Sequence, residues 1–277
     1  MTTPSDIPAL AGEDLTVRYG EREPILNALS LSIPAGRVTA IIGPNGSGKS
    51  TLLKTLARRL PAERGTVRLL NEDIADLAPR ELAARLAIQF QEPVAPEDLS
   101  VADLVAFGRF PHQRFLESPR AEDHAAINEA LERAGVAALR ERRICELSSG
   151  QRRLVWIAMA LAQQTGILLL DEPTTFLDLA RAFRVMEVAA SLPREHGQTV
   201  VIVLHDLALA ARYADHLIAL RDGVVVRAGA VADVLTPETV RRVFEVDCEL
   251  IRDPRSGRPL VVPYPGEALS AVATSGP

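Results

Sequence analysis

Hydrophobic positions change their period along the chain, and the changes divide it. Between Leu15 and Leu70, short β-rich runs (LTVRY, ILNALSLSI, RVTAIIG and GTVRLL) are separated by Gly, Pro and charged turns, which predicts strands. The stretch from Lys49 to Leu60 interrupts them with helical spacing. From about Glu92 to Arg143 the pattern turns helical and loop-like, punctuated by Pro93, Pro96, Pro111 and Pro119; this predicts an inserted helical subdomain. After Ser149, helices alternate with two unbroken apolar strands, ILLL and TVVIVL. Continuous apolar strands between helices predict a mainly parallel sheet covered on both faces, an α/β fold. Beyond about Val224 the chain reads as short strands and helices ending in a Gly, Ser and Pro-bearing stretch expected to fray.

Composition narrows the class. With 277 residues and 47% hydrophobic content, the chain can bury a sizeable core. Its longest apolar run, Leu154 to Ala162, is half the roughly 18 to 20 residues needed to cross a bilayer, and MTTPSDIPAL lacks the features of a signal peptide. A soluble, cytoplasmic protein is expected. Cys145 and Cys248 fit no metal spacing and are expected to be buried, reduced thiols. The net charge of −5, with basic residues scattered, argues against a nucleic-acid groove. Only two basic residues are lysines, Lys49 and Lys54, and Lys49 follows a glycine-rich loop.

That loop is GPNGSGKST: Gly43, Pro44, Asn45, Gly46, Ser47, Gly48, Lys49, Ser50 and Thr51. It follows the strand VTAII and opens a helix, the context in which GxxxxGK[ST] carries meaning. Glycines let successive N–H groups turn toward one anion, and the helix amino terminus adds its dipole. Lys49 is placed to reach the outer phosphates and Ser50 to ligate Mg²⁺. ILLLDEP then delivers Asp171 and Glu172 at the carboxyl end of a buried strand, where ligands of open α/β sheets bind. Asp171 is expected to hold Mg²⁺ through water, and Glu172 to take a proton from an attacking water. His205 ends TVVIVLHD at the same expected edge, whereas His112, His124, His196 and His216 read as surface histidines. Gln91 and Gln89 both follow a short apolar run, and position alone does not separate them as reporters on Mg²⁺ and water.

ELSSGQRRLVWIAMALA raises a different question, because Ser148, Ser149 and Gly150 lead, after only Gln151, Arg152 and Arg153, into nine apolar residues. One cap residue suffices for a helix. A helix apolar on every side is expected to be buried, with its amino terminus offered to an anion.

In this order, GPNGSGKST, Gln91, LSSGQ, ILLLDEP, TTFLD and His205 resemble the nucleotide-binding subunit of ATP-binding cassette (ABC) transporters, over about Leu15 to Asp247. The resemblance implies a RecA-like P-loop NTPase core with an amino-terminal antiparallel β subdomain and an inserted α-helical subdomain. All of 1–277 would form one nucleotide-binding domain: about 1–91 and 165–250 as core and β subdomain, about 92–164 as the helical subdomain, and about 251–277 as a tail. ATP and Mg²⁺ are implied. Tyr19 is similar to the aromatic on which adenine stacks, and the nine residues from Gly43 to Thr51 to the phosphate loop. Asp171 is similar to the Mg²⁺-organising acid, Glu172 to the general base, His205 to the γ-phosphate switch and Asp178 to the loop that crosses a dimer interface. Gln91, rather than Gln89, matches the glutamine that links nucleotide and Mg²⁺ to the helical subdomain. Leu147, Ser148, Ser149, Gly150 and Gln151 match the signature that closes over the nucleotide of a second copy in a head-to-tail dimer.

Two membrane-spanning permease subunits contacting the groove near Glu92 to Ser100 are further implied, with an extracellular substrate-binding protein, no nucleic-acid partner and a peripheral position on the inner face of the cell membrane. VADLVAFGRFPHQ, DEPTTFLDLA, HDLALAARYADHLIALRDG and RDPRSGRPLVVP resemble the importers of iron-siderophore, haem or cobalamin. Two departures stand out. Ser149 replaces the usual glycine, and Arg181 and Ala182 stand where siderophore members often have His-Gln. Two rival readings are a soluble ABC ATPase without transport, in iron-sulfur assembly or beside DNA or ribosomes, and an unrelated P-loop kinase or GTPase, which leaves LSSGQ unexplained.

Overall fold

The computed structural model describes residues 7–90, 95–96, 98–113 and 118–264. The carboxyl-terminal stretch expected to fray lies outside them from residue 265 on. The first half runs β1 (Leu10–Val17), β2 (Leu26–Ile33), β3 (Val38–Ile42), α1 (Lys49–Leu56), β4 (Arg64–Leu69), β5 (Glu72–Asp73), α2 (Pro79–Arg85) and β6 (Leu86–Gln89). Three helices follow, α3 (Val101–Ala106), α4 (Ala121–Arg133) and α5 (Ser149–Ala162). The chain then alternates through β7 (Ile167–Asp171), α6 (Leu179–His196), β8 (Thr199–Val203), α7 (Leu207–Tyr213), β9 (His216–Arg221) and β10 (Val224–Ala230). It closes with α8 (Val231–Val234), α9 (Pro237–Phe244), β11 (Asp247–Arg252) and β12 (Pro259–Tyr264).

Two sheets carry the architecture. An antiparallel sheet has the order β2-β1-β4-β5, and a six-stranded sheet the order β10-β9-β3-β8-β7-β6. In the latter, β9, β3, β8, β7 and β6 run parallel, and β10 closes one edge antiparallel to β9. Every residue of β3, β7 and β8 is buried, as their unbroken apolar runs predict. Alternate side chains divide between two cores. Val38, Ala40, Leu168, Leu170 and Ile202 pack with α3 to α7, whereas Ile41, Leu169 and Val201 pack with Leu52, Leu53 and Leu56 of α1 and with the antiparallel sheet. Helix α1 is therefore clamped between the two sheets, each fully buried leucine contributing about 1.5–3 kcal/mol. The parallel strands bring the ends of β3, β7 and β8 to one edge, where the glycine-rich loop, Asp171, Glu172 and His205 lie.

The helical insert is pinned by Arg109, which is buried although arginine is usually a surface residue. Its guanidinium donates to Asp123 Oδ1 at 2.9 Å, to the Ala162 carbonyl at 2.7 Å and to Gln164 Oε1 at 2.9 Å. Burial would raise the Asp123 carboxyl, but the Arg120 N–H and the Arg109 guanidinium outweigh it and hold it below the usual range. Arg80 of α2 donates to the carbonyls of Pro111 and Gln113 at 2.7 and 2.6 Å, so GRFPHQ straps the carboxyl end of α5 to the core.

Several expectations are corrected. Cys145 is exposed, because in the turn Ile144–Glu146 it is Ile144 that takes the inside position. Cys248 is half-buried on a two-stranded hairpin. His112, His124 and His196 are exposed, but His216 is half-buried on β9, with Nδ1 buried and unpartnered. Burial, helped by Arg37, pushes its pKa down. Helix α5 is not apolar all round: Arg152 is exposed and Leu154, Trp156 and Met159 are only half-buried. Helix α1 stops at Leu56 instead of Leu60, since Arg58 turns left-handed (φ 54°) and its guanidinium bonds the Ile74 and Leu77 carbonyls. Among the described residues, no helix is long and apolar enough to cross a membrane.

Candidate nucleotide site

The phosphate loop leaves β3 at a point that accepts only glycine. A Cβ on Gly43 would sit 2.1 Å from the Leu220 carbonyl oxygen and 2.8 Å from Ser47 Oγ. Gly48 caps α1 in the left-handed region (φ 96°), where a side chain is strained. Lys49 is buried, and its ammonium donates to the carbonyls of Gly43 at 2.9 Å and Pro44 at 2.8 Å. Burial lowers its pKa against the opposing pull of Glu172 and Asp171. Ser50 Oγ donates to Asp171 Oδ1 at 2.8 Å. Asp171 is buried at the end of β7, and burial raises its carboxyl against the Ser50 bond, with Glu172 adding to the rise.

Glu172 departs from the strand with φ 50°, a left-handed conformation costing on the order of 1–3 kcal/mol in a non-glycine residue. The strain turns its carboxylate back over the loop. Oε1 lies 2.5 Å from His205 Nε2, and Oε2 accepts from Thr175 Oγ1 at 3.2 Å. A cleft of about 200 Å³ opens between Ile25, the loop residues 45–46 and 48–51, Glu172 and His205. Thr175 and Ile25 were not picked out from the sequence. Thr175, in DEPTT, was visible only as a turn residue three positions after an acid.

Other predicted residues lie elsewhere. Tyr19 follows β1, is exposed and does not line this cleft. Gln91 lies outside the described residues. Gln89 pairs with Leu170 in the β6–β7 register, on the face opposite Asp171, and its buried amide has no partner. The strand parity therefore turns Gln89 away from the cleft. Asp178 caps α6, its Oδ1 accepting from the Arg181 N–H. In the signature, Leu147 and Gly150 are buried, and Ser148 caps α5 reciprocally with Gln151: Ser148 Oγ accepts from the Gln151 N–H at 3.3 Å, and Gln151 Oε1 from the Ser148 N–H at 3.0 Å. Ser149 is exposed, and none of residues 147–151 lines the cleft of their own chain.

The residues fit a magnesium nucleoside triphosphate. Ser47 Oγ is buried without a partner inside the loop, and Ser50 and Asp171 supply adjacent hard oxygen donors of the kind Mg²⁺ prefers. A second groove of about 410 Å³ runs between residues 57–59 at the end of α1, residues 79–86 of α2 and β6, and Gln163. It had no sequence signal, because it is assembled from three separated segments.

With a glycine-rich loop between β3 and α1 and the carboxylates of Asp171 and Glu172 beside it, the chain has the fold of a P-loop nucleoside triphosphatase. The family is narrower than the class. Residues 26–175 match the ABC transporter family, and the chain belongs to it. It is 46% identical over 266 residues to the ferric enterobactin transport ATP-binding protein of Escherichia coli (strain K12), covering 96% of this chain and 97% of the relative. Among solved structures it is similar to a "metal-chelate type" ABC transporter in an inward-facing conformation (TM-score 0.81, 27% identity, 93% and 98% of the two chains). It is also similar to a dimeric ABC cassette bound to ADP and phosphate (TM-score 0.70, 29% identity, 80% and 98%). The chain is accordingly an ATP-binding ABC subunit, an ATPase of the type coupled to transport.

Proposed function

We propose that this chain hydrolyses ATP to power an importer of ferric siderophores or a related metal chelate such as haem or cobalamin. The observation that carries the enzymatic part is the Glu172 carboxylate, held between His205 and Thr175 beside Lys49 and the Ser50–Asp171 pair. The loop N–H groups and Lys49 bind the phosphates, and Tyr19 stacks on adenine. Ser50 and Asp171, with Gln91, hold Mg²⁺, which when bound neutralises phosphate charge. Glu172 accepts the proton of the attacking water, and His205 holds the γ-phosphate as negative charge shifts. The chelate class rests on the enterobactin relative and the metal-chelate-type structure, matched across nearly the whole chain.

ABC ATPase homologues function as dimers with permease partners. In this chain the signature stands away from its own cleft, which supports a head-to-tail pair in which residues 147–151 of one copy close over the nucleotide of the other, with Asp178 crossing the interface. The 410 Å³ groove offers a seat for a permease segment, and Arg59 in its lining is exposed. This arrangement puts the chain on the inner face of the membrane, with the substrate-binding protein on the other side. The test is uptake of radio-iron as a ferric siderophore in cells expressing the chain or its Lys49→Ala variant. Loss of uptake in the variant is expected; unchanged uptake of every siderophore, haem and cobalamin overturns the proposal.

A further inference from the structure

Arg181, one of the departures from the siderophore pattern, touches both of the elements that the proposed dimer would present to a partner. It sits in the first turn of α6. Its N–H donates to Asp178 Oδ1 at 2.9 Å and its Nε lies 3.2 Å from Asp178 Oδ2. Its aliphatic stem covers buried Gly150 of the signature so closely that a Cβ there would lie 2.3 Å from Arg181 Cδ and 3.1 Å from Cγ. The absence of a side chain at Gly150 thus makes room for Arg181 of the same chain. The ion pair itself is half-exposed and contributes little. What the contact supplies is geometry: the arginine stem lies between the signature helix and the interface loop and touches both.

The path continues inward. Asp178 lies six residues after Glu172, and the intervening segment is folded by two tight turns, Thr175 N–H to Glu172 O and Leu177 N–H to Thr174 O, both at 3.3 Å. From Glu172 the contact passes to His205. We infer that Arg181 is a positioning residue that couples the signature of each copy, through Asp178, to that copy's own Glu172. Engagement of the partner's ATP by Gly150 and its neighbours is thereby felt at the other hydrolytic site, and the two sites fire cooperatively. The inference rests on the head-to-tail reading of the dimer. It gives Arg181 a role without contact to nucleotide.

The experiment measures steady-state phosphate release against ATP concentration for the full-length chain, with Arg181→Ala and Arg181→Lys beside the wild type. The wild type is expected to show a Hill coefficient approaching two, the number of sites. In Arg181→Ala it falls to about one, with a maximal rate within roughly threefold and melting temperature unchanged. Arg181→Lys, which keeps a stem over Gly150 and a cation toward Asp178, restores it. A purely structural role would lower rate or melting temperature and leave the Hill coefficient alone. A wild-type coefficient of one, or an Arg181→Ala coefficient equal to that of the wild type, overturns the inference. ATP-driven dimerisation of Glu172→Gln separates the two levels: its absence defeats the dimer reading, whereas a dimer with unchanged cooperativity in Arg181→Ala defeats only the role of Arg181.

Discussion

Glu172→Gln tests the chemistry most directly, because it changes one atom at a site whose geometry is held from both sides. Gln is isosteric with Glu. Its amide oxygen still faces His205 Nε2, and its amide nitrogen can donate to Thr175 Oγ1, which donates to the carboxylate at 3.2 Å. The loop residues that bind phosphate are untouched, and removing a negative charge beside a triphosphate does not weaken binding. Only proton acceptance is lost. A positioned general base contributes about 10²–10⁴-fold, or ~2.7–5.5 kcal/mol of barrier at 1.36 kcal/mol per decade. Turnover in a phosphate-release assay should therefore fall at least a hundredfold, while affinity for a fluorescent ATP analogue stays within threefold. Bound ATP that is not consumed should hold the pair together, visible as a dimer peak in size exclusion with Mg-ATP. Turnover within threefold of wild type would refute the assignment of Glu172.

Arg109→Met leaves the Asp123 carboxylate buried without its cation and should cost about 3–5 kcal/mol, read as a melting temperature lowered by roughly 10 °C; a loss under 1 kcal/mol would show that the strap is dispensable. His216 has a folded-state pKa below its unfolded value, so the unfolded chain binds the proton more readily and stability falls as pH drops from the unfolded value near 6.5 toward the folded one. Over that window the loss approaches ~1.4 kcal/mol per pH unit, and His216→Asn should flatten that part of the pH profile in denaturant titrations. Ser149→Gly removes an exposed side chain from the first turn of α5, and should preserve or raise ATP turnover in the assembled transporter. A large loss there would reveal a role for the hydroxyl.

What was legible in the sequence is what depends on contiguous residues. The phosphate loop needs nine neighbours in order, and the strands that carry Asp171 and His205 announce themselves as unbroken apolar runs, so their shared edge followed from counting. Contacts between distant side chains were not legible. Arg109 reads as a surface arginine because its acceptors lie 14, 53 and 55 residues away, and nothing local marks them. That Gln89 turns away from the cleft was not legible either, since the face it occupies is fixed by pairing with Leu170 rather than by Gln89 itself. Cys145 fell to the same limit within one turn, where Ile144 won the inside place.

The signature shows why a cap and a binding site are not competing explanations. Ser148 and Gln151 satisfy each other in a reciprocal cap, which occupies the Gln151 N–H and the Ser148 N–H. That bond fixes the entry angle of the chain and leaves the N–H groups of Ser149 and Gly150, in the first turn of α5, outside the capping pair. Those are the groups on which the helix dipole concentrates positive potential. In the proposed dimer the cap would prepare the anion site by holding the turn, and Ser149 is exposed to an approaching phosphate. In the proposed head-to-tail pair a second copy fills this site, because the chain's own phosphate loop faces Glu172 and His205 instead. On that proposal, local capping chemistry and the need for a partner come from the same turn: the residues that end the loop make a site filled from the other copy.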